Sequence, residues 1–76
     1  MEQTPAETTA GAVRAELARK RTTGRQMAKA LGWSSSTTHR RLQGIYPFTL
    51  TELVAVADYL DIPLTTLLPA DREAAS

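Results

Sequence analysis

The part of this chain best equipped for chemistry is a run of hydrogen-bonding side chains that follows Gly32. Its members are Ser35, Ser36, Thr37, His39 and Arg40. If the segment is helical from Ser35 to Gln43, its first two turns carry these side chains and are exposed. Such groups read base edges in DNA, and a major groove about 12 Å wide admits one helix. The run therefore indicates a surface that contacts the bases of a nucleic acid.

Other chemistries have less support in the residues. The chain has no cysteine, which excludes disulfides and thiolate metal sites. His39 is the only histidine, so a metal or catalytic role for it has neither a second histidine nor a thiol to support it. The serine run 34–36 lacks the glycine elbow and the acid–histidine pair of a nucleophilic serine. We therefore expect no enzymatic activity, no metal, no cofactor and no small-molecule ligand.

Two short helices must position this run. Thr23 begins the first of them in a capping box, and Gly32 ends it after about two turns. Ser34 caps the next helix, 35–43, and Gly44 ends it in the left-handed conformation that glycine adopts readily. The turn between the two helices has about three residues, which is the usual length in a helix-turn-helix.

The remaining pattern predicts an all-α fold, a compact bundle of four to five short helices. A flexible lead, 1–8, precedes a helix-turn-helix domain at 9–69, and a flexible tail covers 70–76. The first helix is expected from about Thr9 to Lys20. A capping box at Thr49 begins a fourth helix, and a short fifth helix follows it. The apolar stripe of the fourth helix is predicted to consist of Leu50, Leu53, Val54, Ala57 and Leu60.

Charge is divided unevenly between the two parts of the chain. Residues 1–49 hold eight cationic and three anionic side chains, and residues 50–76 hold one cationic and five anionic, which together give the net +1. A polyanion would be attracted to the first part and repelled by the second, so the division favours an oriented nucleic-acid partner. Charge is also segregated by chance in many soluble proteins, and this alternative stays open here.

The sequence also indicates where the chain works. No apolar run approaches the roughly 20 residues needed to span a bilayer, so no membrane partner is expected. The first nine residues are polar and lean acidic, unlike the basic and then apolar start of a secretory signal. We therefore expect the chain to be cytoplasmic.

Two spaced patterns resemble a known family, the lambda-repressor/Cro-like (XRE-type) helix-turn-helix proteins. The first pattern is Met27-Ala28, Leu31-Gly32, Ser34, Ser36-Thr37, Arg40-Arg41-Leu42 and Gly44. The second is Thr49-Leu50, Glu52-Leu53, Val56-Ala57, Leu60, Ile62-Pro63 and Leu67-Leu68. The sequence of these two patterns is most similar to that of family members from actinobacteria and their phages. The resemblance implies a sequence-specific regulator of transcription, either a repressor or a Cro-like protein, that binds double-stranded DNA.

The resemblance also implies individual contacts. The base-contacting positions of the family fall on Ser35, Ser36 and Arg40, and Arg40 is suited to bidentate recognition of guanine. Phosphate-contacting positions fall on Ser34 and on Gln43 with the loop that follows. The residues expected to contact phosphates are Arg14, Thr23, Arg25, Lys29, Ser34, Gln43 and Tyr46. Three residues depart from the pattern, since the family commonly has glutamine at the position of Gly24, valine or isoleucine at that of Thr38, and an apolar residue at that of Arg41.

One such domain contacts few base pairs, so a homodimer on a palindromic site is expected. The dimer contact falls either on the loop Ile45–Phe48 or near Leu64–Leu68, and Tyr46 contacts either a phosphate or the second subunit. The alternative function is a protein-interaction adaptor or an antitoxin-like subunit with the same fold. Binding that collapses as salt rises favours DNA, whereas salt-insensitive binding to a protein favours the alternative.

Overall fold

The computed structural model describes residues 4–68 of the chain. In this range the elements are α1 (Pro5–Arg19), α2 (Gly24–Leu31), α3 (Ser35–Leu42), α4 (Leu50–Leu60) and a 3-10 helix (Leu64–Leu67). The same residues contain no strand, so the predicted all-α fold of four to five short helices is confirmed. None of the helices described is long and apolar enough to cross a membrane. The predicted tail, 70–76, lies outside the described residues.

All four α-helices begin at a residue with a side-chain hydroxyl. The N-caps are Thr4, Thr23, Ser34 and Thr49, and each hydroxyl oxygen accepts a hydrogen bond from a backbone N–H in the first turn. At the three threonines, the acidic or amide side chain of the third helical residue accepts a hydrogen bond from the N-cap backbone N–H, which completes a capping box. The predicted helix starts at Thr23, Ser34 and Thr49 are therefore confirmed.

The first helix begins earlier than the sequence analysis predicts. Thr4 and Glu7 form a capping box with bonds of 2.9 and 3.1 Å, and Pro5 occupies the first helical position, where proline needs no hydrogen-bond partner. Residues 5–8 are consequently helical, and the prediction of a flexible lead over 1–8 is wrong for them. Tertiary packing supports this turn, because Gly44 lies against Glu7.

The four α-helices also end in the same way, through the Schellman arrangement of two backbone hydrogen bonds. The bonds that close these turns run from Thr22 to Leu17, from Trp33 to Ala28, from Ile45 to Arg40 and from Ile62 to Ala57, at 2.8–3.1 Å. The residue in the left-handed conformation is Gly32 after α2 and, as predicted, Gly44 after α3. After α1 and α4 it is Arg21 and Asp61, with φ of 58° and 57°. A side chain in this conformation is less favourable than glycine.

The core takes side chains from all four α-helices, the α3–α4 loop and the 3-10 helix. Its buried residues are Val13, Leu17, Met27, Leu42, Phe48, Leu53, Val56, Ala57, Leu60 and Leu67, and Trp33 packs half-buried against them. Leu50 and Val54 are exposed instead of buried, which corrects the predicted stripe of α4. Val56 takes the inward position, because the residues spaced from Leu53 at three, four and seven positions face the rest of the bundle.

Candidate nucleic-acid interface

The α2–α3 unit presents one face of α3 outward. Thr38 and Leu42, one turn apart, are buried and attach α3 to the bundle. The remaining polar side chains from Ser35 to Arg40 are all exposed, namely Ser35, Ser36, Thr37, His39 and Arg40. These are the five residues that the sequence predicts to contact bases. Within residues 4–68, His39 and Arg40 have no side-chain hydrogen-bond or ion-pair partner, so both are free to contact a ligand.

Thr38 anchors the beginning of α3. Its side chain is 2% exposed, and its hydroxyl donates a 2.8 Å hydrogen bond to the Ser34 carbonyl oxygen. The hydroxyl is therefore satisfied inside the fold, while the methyl group packs as valine would. The departure from valine or isoleucine at this position leaves α3 firmly packed. The Ser34 hydroxyl lies 3.2 Å from that of Ser36, so the first turn of α3 has a connected set of polar groups.

Arg14 connects α1 to the end of α3. Its guanidinium donates through Nη1 to the carbonyl oxygen of Leu42, the last residue of α3. Carbonyls in the last turn of a helix have no partner within the helix, and a cation is favourable there because of the helix dipole. The structure thus gives Arg14 a positioning contact besides the phosphate contact predicted for it.

Arg41 makes a second connection from α3, toward α4. Its Nη1 donates to the Pro47 carbonyl oxygen at 2.6 Å and lies 3.4 Å from the carboxylate of Glu52. Its Nε is buried and has no hydrogen-bond partner among the described residues. This arginine therefore holds the α3–α4 loop and does not lie on the outward face beside Arg40. Neither arginine connection was expected from the sequence.

The start of α2 lies close to α3 because of Gly24. A Cβ atom at Gly24 would overlap Cδ1 of Leu42, so the absence of a side chain lets Leu42 pack against the first turn of α2. A groove of about 500 Å³ lies beside this contact. It is lined by Gly24, Arg25, Ser35, Ser36, Thr38, His39 and Leu42. The groove brings Arg25 of α2 together with three of the predicted base-contacting residues.

The other predicted phosphate contacts lie on the surface of several elements. Lys29 is exposed on α2, Gln43 is exposed at the C-cap of α3, and Tyr46 is 54% exposed in the following loop. The hydroxyl oxygens of Thr23 and Ser34 accept backbone hydrogen bonds as N-caps. The structure gives these residues access to solvent, and their contacts with phosphate stay predictions.

Two short helices joined by a glycine-containing turn, with the second presenting a polar face, define a helix-turn-helix-like domain. The chain belongs to the BetR domain family, whose sequence profile matches residues 6–76. BetR is a helix-turn-helix-like domain of regulators, and membership suggests a DNA-binding regulatory role. No curated protein and no solved structure matches the chain significantly. The narrower resemblance to lambda-repressor/Cro-like proteins, and to actinobacterial versions of them, stays a prediction.

Proposed function

We propose that this chain is a sequence-specific regulator of transcription, repressor or Cro-like, that inserts α3 into the major groove of DNA. The observation that carries the proposal is the division of α3 into two faces. Thr38 and Leu42 hold the helix in the bundle, and five hydrogen-bonding side chains on the rest of its surface are exposed. Occupancy of a site would regulate transcription, because the bound domain excludes polymerase or a competitor.

Arg40 is the residue we assign to the most specific base contact. Its guanidinium has no partner in the described chain, whereas the guanidinium groups of Arg14 and Arg41 contact backbone carbonyls. A free guanidinium fork matches the O6 and N7 atoms of guanine, a contact worth about 1–3 kcal/mol of discrimination. Arg40 therefore reads bases, whereas Arg14 and Arg41 support the helix that carries it.

Backbone contacts would come from the residues around α3. Arg25 lines the groove beside Ser35 and His39, and Lys29 follows one turn later on α2. Cations at these positions attract the phosphate backbone and supply affinity that is independent of sequence. The acidic side chains Asp58 and Asp61 lie on α4 and at its C-cap, away from the α2–α3 unit in the chain. Binding is accordingly oriented, with the α2–α3 unit toward DNA.

The proposal is tested with two substitutions of the same residue. Arg40→Ala removes the charge and the fork, and we expect it to abolish preference for the selected site over a scrambled duplex. Arg40→Lys keeps the charge but removes the fork, so it should lose most of the preference while retaining binding to the scrambled duplex. Circular dichroism should show unchanged helix content in both, since Arg40 is exposed. Undiminished preference in Arg40→Ala would contradict the assignment.

A second candidate is a protein-interaction subunit, adaptor or antitoxin-like. The observation in its favour is a set of exposed apolar side chains, including Ile45, Leu50 and Val54. Titration against salt distinguishes the two functions. Binding through about six phosphate contacts loses roughly 10³-fold in affinity between 50 and 200 mM salt, whereas apolar contact with a protein changes little.

A further inference from the structure

The described part of the chain exposes four large hydrophobic side chains, and all of them lie between residues 45 and 54. They are Ile45, Tyr46, Leu50 and Val54, with exposed fractions of 60%, 54%, 64% and 42%. Leu50 and Val54 lie one turn apart on the outer side of α4, and Ile45 and Tyr46 belong to the loop that leads into it. We name these four residues the α4 patch. We propose that two copies of this chain contact each other through the α4 patch.

Neither the core nor the α3 face uses these side chains. The core is complete on the other side of α4, where Leu53, Val56 and Leu60 are buried. Aliphatic side chains such as Ile45 and Leu50 have no hydrogen-bonding group with which to contact a base or a phosphate. Large apolar side chains grouped on a surface mark sites of association. The α4 patch is therefore available for contact with another molecule.

The size of the patch fits a weak contact between two copies. Four side chains that are about half exposed offer roughly 400 Å² of surface, against about 800 Å² per partner in a stable complex. A permanent partner would need more surface than this. Two copies that bind adjacent half-sites need only a small contact, because DNA already brings them together.

The charges on α4 favour a two-fold arrangement of these copies. Asp58 is exposed one turn beyond Val54 on the same side of α4, and Asp61 is exposed at the C-cap of that helix. In an antiparallel pair, these acidic groups lie beside the N-terminus of the other α4, where the helix dipole is positive. Arg41 already balances Glu52 at that end. A parallel pair would place the acidic ends together, so the charges select antiparallel helices, with Leu50 of one copy opposite Val54 of the other.

The position of the patch also suits two half-sites, a step that rests on the proposed function. Recognition helices one turn of DNA apart lie about 34 Å from each other, so each lies about 17 Å from the two-fold axis. The patch begins directly after α3 in the chain, and α3 is itself about 12 Å long, so a contact through the patch is compatible with this distance to the axis.

The 3-10 helix offers less exposed apolar surface for a contact between copies, because Leu67 is buried and Leu64 and Leu68 pack half-buried against the core.

The absence of cysteine from the chain allows a direct test without DNA. Leu50→Cys and Val54→Cys chains are mixed and oxidised with copper–phenanthroline, and the disulfide products are separated by mass. We expect the mixed 50–54 disulfide to be the main product. Ala18→Cys, exposed on α1, is the control and should cross-link slowly. Cross-linking of Leu50→Cys and Val54→Cys at the rate of the control would overturn the inference.

A substitution separates this inference from the proposed function. Leu50→Asp should weaken self-association about tenfold in sedimentation equilibrium, with helix content unchanged because Leu50 is exposed. If the mixed disulfide forms but the chain binds no duplex, the interface stands and the proposed function fails. If two copies bind DNA cooperatively and Leu50→Asp leaves that cooperativity unchanged, the interface is overturned and the proposed function stands.

Discussion

Gly44 is the residue whose replacement tests most sharply how α3 is held against α1. Its φ is +80°, and a Cβ atom there would lie 3.0 Å from both Cα and Cγ of Glu7. The Glu7 Cα atom belongs to the backbone of α1 and cannot rotate away. Gly32 provides a matched control, because it has a similar φ of +74° but no atom within 4 Å of an added Cβ. The pair therefore separates conformational strain from steric overlap.

The expected magnitudes follow from these two environments. Alanine in place of Gly32 is strained only by the left-handed backbone conformation, which lowers the unfolding free energy by about 1–2 kcal/mol. Alanine at Gly44 experiences the same strain and also forces α1 to shift, which adds about 1–3 kcal/mol. In a domain of this size, 1 kcal/mol lowers Tm by roughly 4–8 °C. Gly44→Ala should consequently lower Tm about twice as much as Gly32→Ala.

Thermal unfolding followed by circular dichroism at 222 nm measures both shifts. Asparagine sharpens the comparison, because it tolerates the left-handed conformation better than alanine does. Gly32→Asn should be close to the parent, and Gly44→Asn should remain clearly less stable. Equal Tm shifts at the two glycines would refute the packing of Gly44 against Glu7, and with it the tertiary support for the first turn of α1.

Two further predictions concern the same framework. Arg21→Gly and Asp61→Gly should each raise the unfolding free energy by about 0.5–1 kcal/mol in urea titrations, because glycine relieves the left-handed strain after α1 and α4; a loss of stability in both would contradict the backbone geometry. Arg14→Met keeps an unbranched apolar chain but removes the hydrogen bond to the Leu42 carbonyl oxygen. It should lower the unfolding free energy by about 1–3 kcal/mol. Lys20→Met is the control, since Lys20 is exposed at the C-cap of α1 and its side chain has no partner among the described residues.

Local signals made most helix boundaries predictable. The capping threonine at 23 and the glycine at 32 act through their own backbone neighbourhood, so the sequence suffices to find them. The same signal was present in Thr4, Pro5 and Glu7, and the first helix could have been started there. Arg21 could not have been identified as a left-handed residue, because arginine seldom adopts that conformation, whereas Asp61 could have been, because aspartate adopts it more often.

Long-range contacts account for the remaining differences. On α4 the residues Leu50, Val54 and Val56 are all apolar, so periodicity alone does not decide which of them faces the core. Packing against α1 and α2 turns Val56 inward and leaves the other two exposed. The sequence predicts a phosphate contact for Arg14 and no contact for Arg41. Their partners are backbone carbonyls, which have no sequence signature.

The central claim is that the exposed face of α3 reads double-stranded DNA, and one measurement tests it most directly. Bound duplexes are selected from a random pool, and the best site is then titrated at two salt concentrations. We predict an enriched palindrome and a steep loss of affinity with salt, with a slope near −5 for a dimer that uses three cations per copy. A pool without enrichment, bound with little dependence on salt, would contradict the claim.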